Sequence, residues 1–147
     1  MKKQYFSVIS FEEVQLIIAE AAILDSPSDE VTALEALNKV RENNVVKYDS
    51  QYDPYLITDF ETGGILNKGL NKTSALRLEI LLEKYCSVIG LPTYQDVLRT
   101  NNLIGVPIKS DDTTIIPQRF LYPSTESSSN SNFPGIVDQY IPTKVNN

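Results

Sequence analysis

From Phe11 to Leu24 the apolar residues Phe11, Val14, Ile17, Ile18, Ala21 and Leu24 recur at spacings of three and four, the period of one helix face. This pattern predicts a first helix over Phe11 to Leu24 that buries the stripe. Ser26-Pro27-Ser28-Asp29 then reads as a second start: Ser26 suits the cap, Pro27 the first helical position, and Asp29 the positive helix end. Ala33, Leu37 and Val40, with Leu34 alongside, carry a second helix to about Asn43. The short connection makes the two an antiparallel hairpin. Ala19, Ala22, Ala33 and Ala36 would let the backbones approach closely.

The helical period is lost from Val45 to Lys72, where Tyr48, Tyr52, Tyr55 and Phe60 mix with Asp49, Asp53, Asp59 and Glu61 and with Gly63, Gly64 and Gly69. A long tyrosine-rich loop with a short helical turn is expected, and loops of this length in compact domains are usually functional or mobile. A third long helix follows: Thr73 or Ser74 as cap, Leu78, Leu81, Leu82, Tyr85, Val88 and Ile89 on one face, and Gly90 as the stop. Pro92 restarts a short helix through Tyr94, Val97 and Leu98 to about Thr100, with Asp96 and Arg99 spaced for a local ion pair. Beyond it Pro107, Pro117, Pro123, Pro134 and Pro142 exclude regular helix and central strand. The segment Ser124 to Asn132 reads as a surface loop, whereas Ile115, Ile116, Phe120, Leu121 and Tyr122 are expected to pack over the helices as an extended, proline-rich strap.

The fold class is therefore mainly α, in one domain over 1–147: a helix hairpin at 10–43, a loop at 44–72, helices at 73–100 and extended coil at 101–147. A chain of 147 residues can bury a conventional core. With 13 basic and 19 acidic residues, a net charge of −6 and no basic cluster, it is a poor match for a nucleic-acid binder. It has no His and one Cys, which leaves out the usual zinc and iron–sulfur ligand sets and the commonest catalytic base. We expect no metal and no cofactor. Cys86, inside an apolar helical pattern, is expected to be a buried core thiol. Met1-Lys2-Lys3 followed by apolar residues resembles the start of a secretion signal, but Glu12, Glu13 and Glu20 interrupt the apolar run.

Tyr48, Tyr52 and Tyr55 beside Asp49 and Asp53 have the composition of a carbohydrate platform, with ring faces for the apolar side of a sugar and carboxylates for its hydroxyls. The same tyrosines would equally anchor a long loop on the helices. Spacing in this stretch fails the EF-hand pattern. The acids Glu79, Glu83 and Asp96 show no spacing that fixes a hydrolytic pair. The chain is accordingly not read as an enzyme.

Five segments in order, FEEVQLIIAEA (Phe11 to Ala21), ALNKVR (Ala36 to Arg41), LEKY (Leu82 to Tyr85), DVLRT (Asp96 to Thr100) and IPQRFLYP (Ile116 to Pro123), resemble the C-terminal part of the SusD/RagB family. These are helical glycan-binding lipoproteins of the Bacteroidetes outer membrane. The resemblance covers about Ser10 to Pro134. It implies a scaffold of tetratricopeptide-type helix pairs, a surface-exposed outer-membrane location, and binding of an extracellular nutrient such as a glycan for delivery to a SusC-like TonB-dependent transporter. Family members are several times longer and begin with a signal peptide and a lipidated cysteine, so the resemblance makes this chain a C-terminal portion lacking both. Glu20 and Arg41, in the AEA and NKVR patterns, are expected to form an ion pair across the hairpin. The competing class is a helical-repeat module for protein–protein interaction with no sugar ligand. Because one helix pair cannot bury both of its apolar faces, and such units need about three for stability, an exposed apolar patch or self-association is expected.

Overall fold

The computed structural model describes residues 9–48, 53–88, 93–107 and 116–141. The described residues are mainly helical, with no strand among them. They fall into two compact units, Met1–Thr93 and Tyr94–Asn147, where the sequence reading expects one domain.

The first unit contains α1 (Phe11–Leu24), α2 (Glu30–Tyr48), a 3-10 turn (Ile57–Phe60) and α3 (Lys72–Ser87). Helix α1 has the predicted bounds and is capped by Ser10, whose hydroxyl accepts the Glu13 N–H at 3.0 Å. Helix α2 starts later than expected. Asp29, not Ser26, supplies its cap, accepting the Thr32 N–H at 3.0 Å and the Thr32 hydroxyl at 2.6 Å. It also runs five residues past Asn43, into what reads as loop. Helix α3 is capped by Asn71, which accepts the Ser74 N–H at 2.8 Å, two or three residues ahead of the expected Thr73 or Ser74.

The three helices enclose a core of Leu16, Ala19 and Ile23 from α1, Ala33, Ala36, Leu37 and Val40 from α2, and Ala75, Leu76 and Ile80 from α3, closed by Phe60. Ala19, Ala33 and Ala36 are all buried, as close backbone approach demands. Helix α1 packs on both α2 and α3. Its inward face is nevertheless the one opposite to the predicted stripe. Phe11, Val14, Ile17, Ile18, Ala21 and Leu24 are exposed, and the inward face carries Glu12 and Glu20 beside Leu16, Ala19 and Ile23. The expected apolar patch is thus present, along the outside of α1. Helix α3 is rotated in the same sense: Ala75, Leu76, Ile80, Leu81 and Lys84 are buried, while Leu78, Leu82 and Tyr85 are half-buried. Cys86 is exposed, a correction to the buried thiol, because that rotation carries it outward.

Between the 3-10 turn and α3 the chain makes consecutive turns pinned by Asn67, which donates to the carbonyls of Phe60 at 2.9 Å and Leu70 at 2.8 Å. Gly64 lies so close to the Thr58 and Asp59 carbonyls that a side-chain methyl would overlap both oxygens. Only glycine fits that approach.

The second unit begins at Tyr94, within α4 (Thr93–Arg99), where Asp96 and Arg99 form the expected pair at 2.9 Å. Residues 100–107 turn away on Asn102, whose side chain bonds both backbone groups of Val106. The segment 116–141 folds back on itself. Gln118 N–H donates to the Gln139 carbonyl at 2.7 Å and Arg119 Nη2 to the Ile141 carbonyl at 3.0 Å, clasping its base. At its tip is a one-turn helix, α5 (Glu126–Ser129), where a surface loop is expected. The hydroxyls of Ser127, Ser128 and Ser129 donate to carbonyls three or four residues back. The strap expected to be covered over the helices has Ile116 buried, but Phe120, Leu121 and Tyr122 exposed. The two rings pack locally instead: Phe120 lies 6.4 Å from Tyr94 of α4, and Tyr122 meets Phe133 edge-on at 5.5 Å. Ile115 lies outside the described residues.

Candidate functional site

Among the tyrosine-rich candidates, Asp49 and Tyr52 lie outside the described residues, as does the side chain of Tyr48, the last residue of α2. Asp53 is exposed, and its main-chain carbonyl accepts from Arg41 Nε at 3.2 Å and Nη2 at 3.0 Å. Tyr55 is held on all sides. Its N–H donates to Asn38 Oδ1 at 2.7 Å, its carbonyl accepts from Asn38 Nδ2 at 2.8 Å, and its phenol donates to Glu79 Oε1 at 2.9 Å. The Arg41 guanidinium stands 3.6 Å over one ring face, and Phe60 packs edge-on at 5.8 Å. In this arrangement Tyr55 anchors the loop to α2 and α3.

Burial raises the Tyr55 phenol from its ordinary 10.0 to about 12, assisted by the Glu79 carboxylate that accepts its proton. The folded chain therefore prefers the neutral phenol, a preference fully present below pH 10 and lost as pH climbs toward about 12. Tyr55→Phe is expected to reduce the loss of stability between about pH 10 and 12, measured as the shift of the urea midpoint; a slope identical to that of the parent would show that the phenol titrates freely.

Beyond Tyr55 the three helices are joined by a lattice of separate ion pairs and hydrogen bonds. Glu20 pairs with Lys84 at 3.2 Å and Arg41 with Glu83 at 3.8 Å. Glu83 also accepts from Asn44 and Ser87, both at 3.1 Å. Glu12 accepts from Lys47 at 2.8 Å and from Asn43 at 3.0 Å, and the Lys47 ammonium holds its carboxyl below the usual range. Glu30 is held low in the same way by Lys72, with a further bond from Thr73 at 2.6 Å. Both buried residues of the expected Glu20–Arg41 pair make ion pairs with α3, Glu20 with Lys84 and Arg41 with Glu83. The physical reason is the inward rotation of α3, which sets Glu83 and Lys84 against the hairpin. Each of these acids faces a cation, and the lowered carboxyls are the reverse of what a general acid requires. No cluster of three His, Cys, Asp or Glu that could hold a metal occurs among the described residues.

A cavity of about 300 Å³ lies within the second unit. Phe120, Leu121, Tyr122, Pro123, Phe133, Ile136 and Val137 form its wall, and Ser124 and Ser127 supply the polar groups. Sequence reading missed it because Ser124 to Asn132 has loop composition. The available signal is a repeated aromatic–proline pair, Tyr122-Pro123 and Phe133-Pro134, bracketing the serine-rich turn.

The chain matches no protein-family model, no curated protein and no solved structure. No helix among the described residues is long and apolar enough to cross a membrane.

Proposed function

We propose that the chain is a nutrient-binding scaffold of the SusD/RagB type, which binds a glycan and presents it to a SusC-like TonB-dependent transporter at the outer membrane. One observation carries this reading. Three of the five signature segments, remote in sequence, meet through two ion pairs, Glu20–Lys84 and Arg41–Glu83, in which Glu20, Arg41 and Lys84 are buried and Glu83 is half-buried. Residues that recur together in a family signature are expected to be those whose side chains depend on one another. In this reading α1 and α2 are a tetratricopeptide-type pair, the tyrosine–aspartate segment supplies glycan contacts, and Tyr55 and Asp53 fix one end of it to the helices. The function is binding, without turnover.

Calorimetric titration against a broad oligosaccharide panel, with a pull-down of any TonB-dependent transporter encoded beside the gene, tests it. Heat from at least one glycan together with transporter capture is expected. Capture with no glycan heat would favour a second reading, a protein–protein interaction module, which the exposed apolar face of α1 supports. The absence of both signals would overturn the assignment.

A further inference from the structure

We infer that the cavity in the second unit is a binding site for an uncharged, flat, mainly apolar ring compound bearing a single hydrogen-bond donor, of the phenol or indole type. This goes beyond glycan uptake and uses none of the residues assigned to it.

Size and wall chemistry set the class. A volume of about 300 Å³ stands at the lower end of ligand pockets, enough for one ring or a small fused pair. The wall is aromatic and aliphatic, and the edge-on contact of Tyr122 with Phe133 at 5.5 Å is the geometry in which aromatic rings accept a further ring as neighbour. Charge is kept away from it. Glu126 accepts from Asn130 Nδ2 at 2.7 Å, Asp138 accepts the Tyr140 N–H at 2.9 Å, and Arg119 donates to the Ile141 carbonyl. These three bond to neighbours in their own segment, none of the lining residues is charged, and a charged ligand would meet no counter-charge among them.

The polar contact is directional. Ser127 donates its hydroxyl proton to the Ser124 carbonyl at 3.1 Å, so its oxygen presents lone pairs and no proton. A ligand O–H or N–H is the partner that oxygen accepts. A pyranose is excluded by the same inventory: its ring of hydroxyls would be desolvated against an apolar wall that has two serines to offer. The base of the segment is clasped by the Gln118–Gln139 and Arg119–Ile141 bonds, which hold the two walls together before any ligand arrives.

Carbon–proton NMR of the full chain during titration with indole, p-cresol, toluene and glucose tests the assignment. Indole and p-cresol are expected to shift the Tyr122 and Phe133 ring signals and the Ile136 and Val137 methyls saturably, with a Kd on the order of 1 mM. Toluene should bind about fivefold more weakly, the order of one net hydrogen bond, and glucose should move nothing. Ile136 is 91% exposed, so Ile136→Asp places a charge at the mouth without disturbing the fold and should weaken indole about tenfold. Ser127→Ala should erase the preference for p-cresol over toluene while leaving toluene unchanged. The site is refuted by the absence of saturable shifts up to about 20 mM indole, by a Kd far below the value such small ligands reach, by equal shifts at Ile17 and Ile18 on α1 that ignore Ile136→Asp, or by shifts that follow protein concentration, which would seat a second copy there. Failure of the oligosaccharide panel would touch only the uptake reading.

Discussion

Lys84→Met is expected to lower the stability of the first unit by about 3 kcal/mol, because it withdraws the α3 cation from a carboxylate that stays in the interior. Glu20 and Lys84 are 6% and 8% exposed and 3.2 Å apart. At that depth the charge left behind is poorly hydrated, and truncating one partner costs more than the intact pair contributes. The double substitution Glu20→Leu with Lys84→Met separates the two quantities. It removes both desolvation costs while refilling the volume, and its stability should return to within about 1 kcal/mol of the parent. Urea unfolding followed by circular dichroism at the helical minimum reports the first unit, which holds α1, α2 and α3. A single-substitution effect below about 1 kcal/mol would mean that solvent reaches Glu20 and that the lattice is in effect a surface feature.

Phe60→Ala should cost about 3–5 kcal/mol, the range for emptying a fully enclosed aromatic site. Phe60 has no exposed surface, closes the core between the helices, and meets the Tyr55 ring edge-on. Its loss therefore leaves a cavity and also frees the anchor of the tyrosine segment. Amide exchange should show both effects, with Leu66 and Leu70 opening faster, since their N–H groups are bonded only within this turn system, to Asp59 and Asn67. Phe60→Leu keeps most of the volume and should lose about 1.5 kcal/mol or less. Equal losses for Ala and Leu would show that ring shape, and not filled volume, is what the site selects.

The sequence is a good guide to where helices lie and a poor one to which way they face. The bounds of α1 follow directly from apolar spacing. Its facing does not, because α1 is apolar nearly all round, and a helix of that kind offers two stripes of similar strength. The rejected stripe contains Glu12 and Glu20, which count as outward residues in any local reading. Their partners Asn43, Lys47 and Lys84 are 31, 35 and 64 positions away, so the compensation that makes them interior residues has no local trace. The start of α2 fails for a smaller reason: Ser26 and Asp29 are both competent caps, and only Asp29 also gains the Thr32 hydroxyl. Tyr55 reads correctly as an aromatic of consequence, with platform and anchor both open. The distant Asn38, Arg41 and Glu79 are what make it an anchor. The cavity was illegible because it depends on two aromatic–proline pairs closing on each other across a turn whose composition looks like solvent-facing loop.

The two inward glutamates of α1 bracket its buried Leu16 and Ala19, Glu12 one turn before Leu16 and Glu20 directly after Ala19, with Ile23 beyond. A slip of the helix by four residues, about one turn, would bring Glu12 to the place of Leu16, inside the hydrocarbon, and Leu16 to the place of Glu20, against the ammonium of Lys84. Leu16, Ala19 and Ile23 alone would tolerate such a shift, since one small aliphatic contact resembles the next. The glutamates act as end stops, and the sliding register of α1 between its two neighbours is set by charge where hydrophobicity is indifferent.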